Sequence, residues 1–196
     1  MTTQNAAAAS KYQAPFSGVH GKGRFGHRWC IWVSLTMDLK RHFQTDTRAD
    51  NRLGRVYSNA FAERGASVVV IDRADPQGVV DEIRSNGGKA ASVTASVEQG
   101  EHIVQEALNI FGRIDILVNN AGFVRDKSFA NMDDTLWRTV MDVHLEGTYR
   151  MTKAVWPHFV RQQHGCIINT TSTSGIYGNF GQANYSAAVS KSSVQP

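Results

Sequence analysis

From Leu53 to the end of the chain, short β-branched runs alternate with longer stretches of helical periodicity, and this rhythm leaves few folds open. Ser67 to Asp72 reads Ser-Val-Val-Val-Ile-Asp, a continuous apolar run of strand length. Runs of this kind belong to parallel strands buried on both faces rather than to half-exposed ones. Lys89 to Ala95, Ile114 to Val118 and Cys166 to Thr171 read as further strands. Between them lie helical segments at Arg55–Arg64, Val79–Ser85, Glu98–Phe111 and about 133–163, with another helix starting at Ala183. On the first of these Val56, Ala60 and Phe61 are expected to share the inner side. On the third, Ile103, Val104, Ala107, Leu108 and Phe111 form the apolar face, and Gly112 stops it. Pro157 is expected to bend the long fourth helix. Strands separated by helices of this length form βαβ units with right-handed crossovers and a parallel sheet.

Composition agrees with a single packed domain: 196 residues, 41% hydrophobic and 19% charged. The net charge of +4 is unevenly placed. Residues 1–52 carry eight Lys/Arg against three Asp/Glu, whereas the remainder carries 13 against 14. The domain proper is therefore neutral and offers no basic face for nucleic acid. No apolar run approaches the roughly 20 residues of a membrane span. Cys30 and Cys166 form neither a metal spacing nor a disulfide framework, so no metal is expected and a reducing compartment is the default.

In open parallel sheets ligands bind beyond the carboxyl ends of the strands, and the residues with chemistry fall there. Asp72 ends a strand 18 positions after Gly54, which opens the first helix in Leu53-Gly54-Arg55. Gly54 fits the last glycine of a dinucleotide fingerprint. A carboxylate at position 72 accepts hydrogen bonds from ribose hydroxyls and repels a 2′-phosphate, favouring NAD over NADP. The earlier Gly21, Gly23 and Gly26 also spell G-x-G-x-x-G, but they follow polar coil and run into Arg28-Trp29 rather than opening a helix, so they are set aside. Asn119-Asn120-Ala121-Gly122 follows a strand, where small residues let a cofactor approach the backbone; Asn119, Ala121 and Gly122 are the candidates. Ser172 and Tyr185 stand thirteen residues apart. A serine and a tyrosine so spaced, with a lysine one helical turn later, transfer a proton to or from an alcohol or ketone. Here position 189 is valine, and Lys191 lies on another side of the helix. A phenol titrates near 10 unless cations lie beside it.

These motifs resemble the short-chain dehydrogenase/reductase family. The string Gly-Ile-Tyr-Gly-Asn-Phe-Gly-Gln-Ala-Asn-Tyr-Ser-Ala-Ala, with Arg-Asp-Lys-Ser-Phe (125–129) and Val-His-Leu-Glu-Gly-Thr (143–148), is similar to a narrower group. That group is the (3R)-hydroxyacyl-CoA dehydrogenase domains of peroxisomal multifunctional β-oxidation enzymes, of fungal type. The resemblance covers about 53–188. It implies a Rossmann-type doubly wound α/β fold, NAD as cofactor, a 3-hydroxyacyl-CoA substrate, a homodimer joined through the 133–163 helix, and peroxisomal location. His144 falls where many members place an active-site asparagine.

The departures set further expectations. The first strand and its Gly-rich loop are expected to be missing, as are the C-terminal strands beyond the tyrosine helix; Trp29-Cys30-Ile31-Trp32-Val33 has strand character but is set aside because no helix with sensible caps follows it. Ala95 replaces a usual aspartate. Residues 1–52 are expected to lie outside the native fold, 53–188 to form a partial dehydrogenase domain, and 189–196 to be an aberrant tail. Codons for Phe25–Trp32, read one nucleotide later, permit Ser-Val-Thr-Gly-Gly-Ala-Ser-Gly, and splice-donor sequences fit Val33-Ser34 and Val189-Ser190. The expectation that follows is translation through two unspliced introns, which would account for both breaks. Two other readings stay open: a related reductase of steroid, polyol or polyketide substrates, and a catalytically dead pseudoenzyme acting through dimerisation. Ser-Val-Gln-Pro at the terminus is no peroxisomal address, which leaves a cytoplasmic location as the reading without the resemblance.

Overall fold

In the computed structural model, residues 30–34 and 53–191 are described. Five parallel strands form one sheet in the order β3-β2-β1-β4-β5: β1 Cys30–Ser34, β2 Ser67–Asp72, β3 Lys89–Thr94, β4 Ile116–Asn119 and β5 Cys166–Asn169. The order steps outward one way from β1 and then reverses, which is the doubly wound pattern with a crevice at the reversal. The helices are α1 Leu53–Glu63, α2 Gln77–Ser85, α3 Gly100–Phe111, α4 Asp134–Met141, α5 Gly147–Gln162, α6 Ser174–Tyr177 and α7 Ala183–Lys191.

Alternation along the strands divides the core into two layers. Val68 and Val70 of β2 and Ile116 and Val118 of β4 pack with Ala62 of α1 and Val80 and Ile83 of α2. Val69, Ile71 and Leu117 turn the other way, onto Ile103, Val104 and Ala107 of α3 and Met151, Val155 and Phe159 of α5. Because both faces are covered, β2 and β4 read as unbroken apolar runs. Leu108 and Phe111 pack at the margin of the second layer as expected.

One expectation about the sheet is corrected. The strand taken to be missing is present: Cys30–Ser34 lies between β2 and β4, with Ile31 opposite Val68 and Ile116, and Val33 opposite Val70 and Val118. The physical reason lies in its neighbours. Two fully buried strands facing one another across a gap would leave their ladder N–H and C=O groups without partners, at a cost no core of this size absorbs. A β-branched and aromatic stretch is the best available filler. The Gly-rich loop expected to be absent falls in 35–52, outside the described residues, and Gly21, Gly23 and Gly26 lie outside them too. The described sheet ends at β5, and α7 runs through Val189 to Lys191, across the expected boundary at 189.

The inner side of α1 is corrected in part. Phe61 packs against the first layer as expected, but Gly54, Ser58 and Ala62 are the buried residues, and Val56 is 48% exposed. Small residues at i, i+4 and i+8 let the helix lie close on the sheet, and the buried Ser58 hydroxyl donates to the Gly54 carbonyl (2.8 Å). The predicted 133–163 helix is continuous but contains a π-helical turn, Asp142–Glu146, between α4 and α5.

If β1 is the central strand, Ile31→Pro removes a ladder donor from the middle of the sheet. The expected outcome is loss of the cooperative unfolding transition in urea. A variant that unfolds as the unaltered chain does would remove Cys30–Ser34 from the sheet.

Candidate active site

Three strands deliver the candidate residues to one edge of the sheet. Asp72 ends β2, 5% exposed, its Oδ1 accepting the Ala74 N–H (2.8 Å). A buried carboxylate held by a neighbouring amide keeps a fixed orientation. Asn119 ends β4 level with Asn169 of β5. Its Nδ2 donates to Asn169 Oδ1 (2.9 Å) and to Thr152 Oγ1 of α5 (3.4 Å). Thr170 Oγ1 donates to Asn120 Oδ1 (3.1 Å), so the loops leaving β4 and β5 are fastened side to side. Gly54 is buried in the first turn of α1.

Beyond Ala121, the backbone at Gly122 is pressed by the His144 imidazole. A Cβ there would collide with that ring, so only glycine fits. His144 sits in the π-helical turn, where the extra residue turns a side chain inward that a regular helix would place elsewhere. Its carbonyl accepts the Thr148 hydroxyl (2.8 Å). Its Nε2 lies 2.9 Å from the Phe123 amide nitrogen and 2.7 Å from the Phe123 carbonyl oxygen. Burial pushes its pKa below the ordinary imidazole value, opposed by the bond to the Phe123 backbone.

Ser172 follows β5, half-buried, its Oγ accepting the Ser174 N–H (3.2 Å). This uses a lone pair and leaves the hydroxyl proton to be donated. Tyr185 stands in the first turns of α7, its ring meeting His144 edge-on at 5.0 Å between centroids and 81°. Asn184, fully buried, fixes that turn: its Oδ1 accepts the Tyr185 N–H (2.8 Å), and its Nδ2 donates to the carbonyls of Leu136 (3.2 Å) and Arg125 (3.4 Å). Gln182 joins the same clasp, accepting from Ser174 Oγ and Asn179 Nδ2 (both 3.1 Å) and donating to Asp126 Oδ1 (3.1 Å).

Val189 is 2% exposed. Its carbonyl accepts the Thr171 hydroxyl (3.1 Å), and a Cβ added at Gly175 would lie 3.0 Å from its Cγ2. The position one turn after Tyr185 is thus an apolar contact between α6 and α7. Tyr185, His144 and the Gly122–Phe123 backbone are brought together; Asp72 shares their sheet edge. Sequence reasoning left Phe123, Asn184 and Gln182 unmarked. Asn184 was findable, since a buried amide directly before a candidate tyrosine is a natural brace, but the Phe123 contribution is backbone and carries no side-chain signal.

Sheet order and the reversal beside β1 define a doubly wound α/β architecture, the kind that binds ligands beyond its strand ends. The family model described as short chain dehydrogenase matches residues 47–195, and the chain belongs to that family. It is 56% identical over 152 residues to the peroxisomal hydratase-dehydrogenase-epimerase of Neurospora crassa, covering 78% of this chain and 17% of the relative. To the mouse peroxisomal multifunctional enzyme type 2 it is 52% identical over 153 residues, 72% of this chain and 21% of the relative. The chain thus spans about a fifth of these relatives' length. Among solved structures, full-length peroxisomal multifunctional enzyme type 2 from Drosophila melanogaster matches with a TM-score of 0.64 and 39% identity, over 84% of this chain and 26% of that one. A short chain dehydrogenase from Mycobacterium avium matches with a TM-score of 0.70 and 33% identity, over 83% and 58%. The chain is therefore related to the dehydrogenase part of peroxisomal multifunctional enzymes, in a family whose members act on small molecules with nicotinamide cofactors.

Because the fold favours neutral His144, its contribution to stability is complete above about pH 6.5 and is lost as pH falls through the lowered value. His158, lowered by partial burial and by Arg161, acts in the same direction, so the difference between chains isolates His144. From about pH 7 to about pH 5 the Tm of the unaltered chain is expected to fall further than that of His144→Gln. Parallel curves would contradict this.

Proposed function

We propose that this chain derives from an NAD-dependent dehydrogenase that oxidises (3R)-3-hydroxyacyl-CoA to 3-ketoacyl-CoA, and that its own turnover is severely impaired. The observation carrying the proposal is the pairing of an intact Tyr185 environment with a buried valine at position 189. Oxidation of a secondary alcohol removes the hydroxyl proton and a hydride. Ser172 would hold the substrate oxygen through its hydroxyl, and Tyr185 would take the proton. A bound nicotinamide dinucleotide supplies the hydride acceptor. Asp72 would receive the ribose hydroxyls, and Asn119, Ala121 and Gly122 would line the approach to the nicotinamide end. The buried, amide-held carboxylate and the Cβ-free backbone at Gly122 suit that molecule.

A phenol serves as base near pH 7 only if its anion is stabilised, and Val189 brings an apolar side chain where a cation is needed. Tyr149, Trp156 and Val160, all exposed on one stripe of α5, support pairing of two copies along that helix. Peroxisomal location is proposed from the names of the relatives.

Purified chain with a (3R)-3-hydroxyacyl-CoA and NAD is expected to give little or no nicotinamide reduction, whereas Val189→Lys raises the rate by about 10²–10⁴-fold, the usual worth of acid–base catalysis. Rapid turnover by the unaltered chain would refute impairment, and an inert Val189→Lys variant would place the defect elsewhere.

Cofactor choice is read separately by binding. NADH is expected to bind more tightly than NADPH, with Asp72→Ser narrowing the gap because the carboxylate no longer repels the 2′-phosphate. Equal affinities in the unaltered chain would exclude Asp72 from this role.

A further inference from the structure

We propose that His144 is a positioning residue whose neutral imidazole clasps the loop after β4 to the Tyr185 ring, so that the candidate cofactor loop and the candidate proton carrier move as one body. Its chemical consequence rests on the function proposed above; the clasp itself does not.

Three contacts meet on this ring. The first is with Phe123, whose amide N–H and carbonyl both lie within hydrogen-bonding distance of Nε2, at 2.9 and 2.7 Å. One imidazole nitrogen serves only one of them at a time: bare, it accepts the N–H; protonated, it donates to the carbonyl. In either neutral tautomer Nε2 holds the Phe123 backbone, as acceptor from its N–H or as donor to its carbonyl, and the buried setting favours the neutral ring. The second contact is the edge-on packing against Tyr185, of the kind aromatic pairs prefer. The third is Gly122, whose missing side chain is the space the imidazole fills. The π-helical turn and the Thr148 hydroxyl on the His144 carbonyl fix the backbone that presents the ring.

The ring therefore touches the residue that follows the Asn-Asn-Ala-Gly loop and, on its other side, the tyrosine. A shift of the loop backbone changes the imidazole's tilt and, through it, the phenol's. His144 acts through Tyr185 and the Phe123 backbone rather than on substrate.

Two substitutions separate the contacts. His144→Gln keeps a side-chain amide that can pair with the Phe123 backbone and removes the ring; His144→Phe keeps the ring and removes the hydrogen bond. NMR of the full chain would follow the Phe123 amide and the Tyr185 ring. In His144→Phe the Phe123 amide signal is expected to move as the hydrogen bond to its backbone is lost, with the Tyr185 signals little changed. In His144→Gln the Tyr185 ring signals move and the Phe123 amide signal stays. A residue that merely supports the fold would move both signals together in both variants, which would overturn the proposal. Should a variant fail to fold, the 15N shifts of His144 in the unaltered chain decide alone: a neutral ring with Nε2 hydrogen-bonded is expected, and a charged ring or an unbonded Nε2 would overturn the proposal. Titration with NADH is expected to shift both the Phe123 amide and the Tyr185 ring. A chain that binds no NADH sinks the proposed function, while the clasp is still decided by the other signals.

Discussion

The backbone ladder on either side of β1 is the constraint on which this structure rests. β2 and β4 are each buried on both faces, so water cannot satisfy the edges they turn toward one another. Cys30–Ser34 supplies the missing donors and acceptors along both edges, in a register that sets Ser34 opposite Ile71 and Asn119. That register brings the strand ends to a common level. Asp72, Asn119 and the turn into Ser172 share one rim because the strands beneath them are locked in step.

The sheet was legible from Leu53 onward because buried parallel strands announce themselves as short apolar runs and glycines mark the helix ends. Ser67–Asp72 was recovered to the residue, and the remaining strands and long helices were placed with their ends shifted by a few residues. Two kinds of information were hidden. The role of Cys30–Ser34 depends on a gap between strands far along the chain, which no local pattern encodes. The face of α1 was misjudged because apolar periodicity pointed to Val56, whereas close helix–sheet approach selected the small residues Gly54, Ser58 and Ala62. Size, not hydrophobicity, decided that contact.

The site shows the same division. Ser172, Tyr185, Asp72 and Gly122 were visible as residue types at telling positions. What surrounds them was not: the Asn184 amide bracing two carbonyls, Gln182 joining three segments, and the Phe123 backbone against His144. The valine at 189 was visible as a departure, but only the structure shows it packed between α6 and α7 rather than facing solvent. A lysine introduced there must carry its ammonium out of an apolar contact, which its long methylene stem allows.

The five-residue π turn at Asp142–Glu146 has a geometric consequence of its own. The wider turn absorbs one surplus residue, so the residues beyond it face about 100° away from where unbroken α-helical counting would place them. Val140 ahead of the turn and Met151 and Val155 beyond it are all fully buried, so the two halves of the rod meet the interior with different faces while the seam between them points a histidine sideways. Excising a single residue from that seam would restore regular winding with both halves still facing the core, and would remove the widened turn that presents the histidine. The histidine's place beside Tyr185 therefore belongs to this one local defect, while the sixteen-residue helix beyond it packs as an ordinary rod.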